Sequence, residues 1–167
     1  MASQSTPANM PDDRELVITR IFDGPREDVW KMWTEPENIK KWWGPEGFTA
    51  PYAELDLREG GKYLYCMKGP DGKEYWSGGV FREVVPMEKI VATDSFMDKD
   101  GNIVPASTYG LSADYPPELL MTIMFEDEPD GRTKVTIRHL GHPAMDIENA
   151  RNGWSTSLDK FAAAMSE

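Results

Sequence analysis

The chain has 167 residues, 40% hydrophobic and 28% charged, the balance of a globular chain able to bury roughly 70% of the surface its unfolded form exposes. Eighteen basic residues against 29 acidic ones give a net charge of −11, which repels nucleic-acid phosphates and anionic lipid and argues against both as partners. A single cysteine, Cys66, allows no internal disulfide. With no apolar run near ~20 residues and no signal-peptide pattern, a cytoplasmic protein is expected.

Residues 1–13, "MASQSTPANMPDD", read as a disordered polar tail, and 14–167 as a single domain. "RELVITRIF", residues 14–22, is β-branched and aromatic and predicts a first strand. In "DGPREDVWKMW", Pro25 suits a first helical turn. Glu27 and Asp28 favour its N-terminus, and Val29, Met32 and Trp33 recur at helical spacing. Thr34 with Glu37 three residues on forms a capping-box pattern, predicting a second short helix through Trp43 that Gly44-Pro45 stops. Adjacent helical residues stand about 100° apart, so Trp42 and Trp43 cannot face one point. Trp43 is expected to look into the core or a cavity, with Trp42 packing at the rim or partly exposed.

Period two then takes over. Ala53, Leu55 and Leu57 alternate with charged residues, and Pro70-Asp71-Gly72 and Pro129-Asp130-Gly131 each sit between two alternating runs, a hairpin signature. "EKIVATDSFM" adds another strand. The connections are too short for crossover helices, so the sheet is expected to be antiparallel. The exception is a loop of about twenty residues at 98–117, a length common in lids and binding loops. Finally Ile147, Ala150, Trp154, Leu158, Phe161 and Met165 draw one apolar stripe on a helix of about 20 residues, ~30 Å long. Gly153 interrupts it at a cost of ~1 kcal/mol relative to Ala, a sign of close packing or function.

The order β-α-α-β-β-β-β-β-β-α makes an α+β fold. A curved antiparallel seven-stranded sheet wraps a long C-terminal helix, with two short helices after strand 1. The stretches "FDGPREDVWKMWTEPENIKKWWGPEGFT", "LREGGKYLYCMKGPDGKEYWSGGVFREVVPMEKIVAT" and "NGWSTSLDKF" carry a resemblance over residues 15–165. The chain resembles the helix-grip superfamily of START-like, birch-pollen-allergen-like and polyketide-cyclase-like proteins (SRPBCC). Within it, it is most similar to the branch of the activator of heat-shock-protein-90 ATPase, C-terminal domain. That resemblance implies a cavity between sheet and helix for apolar or amphipathic small molecules. It also implies a chaperone as an alternative partner.

The residues themselves leave three function classes open. Metal chemistry lacks its ligands: His139 and His142 are the only histidines, and no HExxH or CxxC spacing exists, so no metal or cofactor is expected. No G-x-S-x-G or nucleotide-type glycine loop is present either. Alternation points His139 and Asp94 inward, where burial could shift their pKa for acid–base work in a cyclase or hydrolase, or where they could simply be hydrogen-bonded. Ten methionines and the alternating aromatics suit either a packed core or a wall for an apolar or aromatic ligand. A ligand cavity above about 300 Å³ is expected. Its expected lining is Trp43, Tyr65, Trp76, Met121, Phe125 and Trp154, with Asp94 and His139 as polar anchors. No catalytic residue is assigned.

Overall fold

Residues 14–166 are described by a computed structural model of the chain; the expected tail at 1–13 lies outside the described residues. The strands are β1 (Glu15–Phe22), β2 (Thr49–Leu55), β3 (Lys62–Lys68), β4 (Glu74–Val85), β5 (Lys89–Met97), β6 (Leu119–Asp127) and β7 (Thr133–Leu140). The α-helices are α1 (Arg26–Thr34), α2 (Pro36–Trp42) and α3 (Ile147–Met165). The strands form one curled antiparallel sheet in the order β1-β7-β6-β5-β4-β3-β2. Sequence neighbours β2 to β7 pair as a meander, while α1 and α2 carry the chain from one sheet edge to the other.

The predicted turns are where the spacing places them, with Gly72 at φ 87° and Gly131 at φ 85°. Curvature comes from bulges. At Gly79 in β4 an added Cβ would stand 2.1 Å from the Thr93 carbonyl oxygen. Two residues on, the register of β4 with β5 shifts between Phe81 and Glu83, and the Val80 N–H bonds the Thr93 hydroxyl at 2.9 Å. Glycine is thus required where the strand bends against its neighbour.

The β1 edge is closed by α3. The Arg20 guanidinium bridges Asp159 at 2.9 Å and donates to the Ser155 carbonyl, and Arg151 donates to the Val17 carbonyl at 3.0 Å. Leu158 and Phe161 of α3 are fully buried, and Phe161 stacks obliquely on Phe22 with ring centroids 4.5 Å apart. Trp33 of α1 sits at the centre, within aromatic contact of Trp42, Phe125, Trp154 and Phe161.

Three local expectations are corrected. The capping box does not form: the Thr34 hydroxyl turns back to the Trp30 carbonyl at 2.8 Å, Glu35 is the N-cap without a side-chain bond, and α2 ends at Trp42. Pro36 at the first helical position starts α2 instead, since its fixed φ needs no partner for a missing N–H. Trp42 is not at a rim but fully buried, its indole N–H bonded to the Met32 carbonyl at 2.9 Å. An indole can sink that deep because the C-terminal turn of α1 offers its nitrogen an acceptor. The loop at 98–117 is also less bare than expected. It holds a bridge from Ile103 to Met97 and a 3₁₀ turn at Ala106–Tyr109, and the Tyr109 hydroxyl donates to the Met97 carbonyl.

A candidate ligand site at one end of the sheet

Space between sheet and helix is almost used up in the middle of the molecule. Where Trp33, Tyr63, Tyr65, Phe81 and Met121 meet, only ≈ 20 Å³ is free. A larger pocket of ≈ 230 Å³ lies to one side, where β5, β7 and the first turns of α3 come together. It is smaller than the expected ~300 Å³, because Trp33 and Trp42, packed on Phe125 and Phe161, fill the middle of the space between sheet and helix.

Each wall has a local cause. Trp43 is the C-cap of α2, and Gly44 at φ 97° reverses the chain directly after it. That left-handed turn brings Gly44 and Pro45 to the pocket's edge beside Met67. The turn is held on α3 by the Lys160 ammonium, which donates to the carbonyls of Gly44, Pro45 and Phe48 at 2.9, 3.3 and 3.0 Å. Burial lowers the Lys160 pKa. The Thr156 hydroxyl accepts from the Glu46 N–H at 3.0 Å. Opposite, Tyr115 comes from the end of the long loop and Leu119 from the start of β6. That segment is pinned by Arg14, whose guanidinium donates to the carbonyls of Asp114, Gly141 and His142.

On α3 the pocket meets Ala150, Gly153, Trp154 and Ser157. A Cβ added to Gly153 would find no atom within 4 Å. The expected close approach is therefore absent, and the glycine opens space instead.

The polar end of the pocket is a connected network. The Tyr63 hydroxyl donates to the Thr93 carbonyl at 2.7 Å and reaches Asp94 Oδ1 at 3.2 Å. Asp94 Oδ2 is 2.8 Å from His139 Nε2. Despite that closeness, His139 Nε2 is fully buried without a hydrogen-bond partner. On its other side His139 Nδ1 faces His142 Nε2 at 3.0 Å and the Trp154 indole N–H at 3.4 Å. Tyr115 Oη is 3.3 Å from His142 Nδ1.

Tautomers follow from this geometry. Indole N–H can only donate, so His139 Nδ1 is an acceptor and its proton sits on Nε2, facing Asp94. His142 then donates from Nε2 and accepts the Tyr115 hydroxyl at Nδ1. His142 is held neutral: burial first, then the neighbouring His139 and the Arg14 guanidinium, push it down to about 3. Burial, reinforced by Asp146 and Asp94, pushes Tyr115 up to about 12, and burial with the Asp94 charge drives Tyr63 well above its ordinary value. Among the described residues that line the pocket, Asp94 is the one carboxylate, and no Lys or Arg stands with it.

Of the eight residues expected to line one cavity, four meet at this pocket: Trp43, Asp94, His139 and Trp154. Tyr65 and Met121 lie at the small residual space in the core, which Trp43 also touches. Phe125 is 2% exposed and packed between Trp30 and Trp33, away from both spaces. Trp76 is on the outer face of the sheet: it pairs with Cys66, packs on Tyr52, and its indole N–H reaches Glu74. Residues that the sequence reasoning left out are His142, Tyr115, Leu119 and Ser157. Only the His-x-x-His spacing was a usable signal, since a three-residue step around Gly141 lets two rings meet.

Among the described residues, no group of three or more His, Cys, Asp or Glu side chains stands ready to hold a metal ion. No helix among them is long and apolar enough to cross a membrane. Cys66 is buried on β3, and burial pushes its thiol up to about 11, the state of an inert packing residue.

Solved structures with this fold extend over nearly the whole chain. A protein of Chromobacterium violaceum is 29% identical, with a TM-score of 0.76 over 92% of this chain and 98% of that one. A protein of Mycobacterium smegmatis is 27% identical, with a TM-score of 0.73 over 91% and 90%. An AHSA1 protein of Silicibacter pomeroyi shares the fold at 23% identity, with a TM-score of 0.71 over 91% and 97%. Among curated proteins, none matches. The family model described as "Activator of Hsp90 ATPase homolog 1-like protein" matches residues 23–166, and the chain belongs to that family.

Proposed function

We propose that the chain binds a small apolar or aromatic molecule without transforming it. The observation that carries this reading is the ≈ 230 Å³ pocket, walled by Trp43, Met67, Phe96, Leu119 and Trp154 and polar only at one end. An apolar wall with a few convergent polar groups is the usual make-up of a small-molecule site. At ~30 Å³ per water-sized group, the space takes about eight such groups, or one to two fused rings. Against catalysis stands the Asp94–His139–His142 network. Both nitrogens of His139 face protein groups, and His142 stays neutral, so no free imidazole is offered to a substrate.

Native mass spectrometry of the protein after incubation with the small-molecule fraction of a cell extract tests this. A mass increment that disappears on denaturation, and is missing from Gly153→Leu with its pocket filled, supports the reading. An unliganded mass for the wild-type chain, or an equal increment in the variant, counts against it.

The family description favours a second reading, a module that acts on the Hsp90 ATPase. It predicts stimulated ATP hydrolysis when the chain is added to the chaperone, and unchanged hydrolysis at saturating protein excludes it.

A further inference from the structure

Asp94 stands on the pocket wall with 18% of its side chain exposed, and among the described residues lining that space no cationic side chain faces it. Arg14 and Lys160, which hold the pocket's edges, are committed to backbone carbonyls. His139, the basic group beside Asp94, does not cancel the charge either. The Trp154 indole can only donate, and it points at His139 Nδ1. That nitrogen keeps its lone pair, so the imidazole stays neutral. A carboxylate offers about four lone-pair sites, and the Tyr63 hydroxyl takes one of them at 3.2 Å. The free protein thus holds a mostly buried negative charge with nothing positive on the same wall.

Resting on the binding reading above, we infer that the ligand carries a positive charge: a protonated amine on an apolar or aromatic body. The ammonium stands at the exposed part of the Asp94 carboxylate, and the body lies against Met67, Phe96, Leu119 and Trp154. Asp94 is already mostly withdrawn from water in the fold, so a cation meets it with little further desolvation on the protein's side and with weak screening. The faces of aromatic rings attract cations as well, and Phe96, Tyr115 and Trp154 line the same space. Farther out, the net charge of −11 draws cations towards the protein and repels anions. A carboxylate or phosphate head is therefore opposed both on approach and at the wall. A neutral ring gains apolar contact alone.

The test is calorimetric titration of the full chain at neutral pH with three naphthalene probes: cationic 2-naphthylmethylamine, neutral 2-naphthol and anionic 2-naphthoate. The amine is expected to bind at least about tenfold tighter than 2-naphthol, a ratio that one partly buried charge pair supplies, with 2-naphthoate weakest. Asp94→Asn, shown to be folded by circular dichroism, brings amine and naphthol level. In the wild-type chain the amine keeps its lead at about 1 M salt, where a Debye length of ~3 Å removes the pull of the net charge but not that of a contact pair. If amine and naphthol bind equally to the wild-type chain, or the lead survives Asp94→Asn, the charge assignment is wrong while the pocket reading stands. Should the variant fail to fold, the salt series decides, and a lead lost at high salt overturns the assignment. If none of the three binds, the pocket reading fails and takes this inference with it.

Discussion

Gly153 offers a prediction in which stability and binding move in opposite directions. It lies in the middle of α3 with ordinary helical backbone, and a Cβ placed there meets no atom within 4 Å. Replacing it with Ala removes the helix penalty of glycine, about 1 kcal/mol, with no steric term to offset the gain. For a domain of this size that raises the melting temperature by about 2–4 °C. Gly153→Leu keeps most of the helical gain but pushes a branched side chain into the ≈ 230 Å³ pocket, so ligand binding is lost while the fold is kept. The contrast is Gly78→Ala. There an added Cβ stands 2.4 Å from the Tyr63 carbonyl oxygen, and the strain costs about 1–3 kcal/mol. Thermal and urea melts followed by circular dichroism measure all three variants, and titration with 2-naphthol measures binding. A melting temperature for Gly153→Ala below that of the wild-type chain would refute the reasoning, because it would mean the glycine is needed by the helix rather than by the pocket.

Three further outcomes are expected. Trp42→Ala removes a fully buried indole and orphans the Met32 carbonyl, costing about 3–5 kcal/mol; Trp43→Ala costs less and instead weakens probe binding, so equal destabilisation by the two contradicts the division between core and wall. His142 is neutral when folded and held at about 3, below its unfolded value, so the unfolded chain binds the extra proton. Stability therefore falls as pH drops from about 6.5 towards 3, by about 1.4 kcal/mol per pH unit from this group, and is flat in this respect above that window. Urea melts of His142→Gln should lose that one-proton slope. Cys66, buried and with its thiol raised to about 11, should react with a disulfide reagent at neutral pH only as fast as the chain opens, and labelling at the rate of a free thiol would contradict its placement.

The fold was legible because its signals are local and repeated. Strand alternation, two Pro-Asp-Gly turns and one long apolar stripe each follow from backbone geometry alone. What the sequence did not disclose depends on partners far along the chain. Trp42 and Trp43 are equal as residues, and which one is core was decided by the Met32 carbonyl that receives the Trp42 indole N–H. Trp76 follows from register: Lys68 pairs with Glu74, so Trp76 faces Cys66 and falls on the face opposite Tyr65. Alternation states that two faces exist, but not which one the helix covers. Tyr115 was hidden because a loop has no period, and its place is set by Arg14, 100 residues away in the chain, gripping the Asp114 carbonyl. His139 and Asp94 are the reverse case: alternation alone turned both towards the helix, and they stand 2.8 Å apart.

The binding account comes down to one space, the ≈ 230 Å³ pocket beside Asp94. A crystal structure of the chain grown with 2-naphthol tests it most directly. The account predicts the ring inside that pocket, against Met67, Phe96, Leu119 and Trp154. A pocket left empty at saturating probe, or a probe bound elsewhere on the protein, would contradict it.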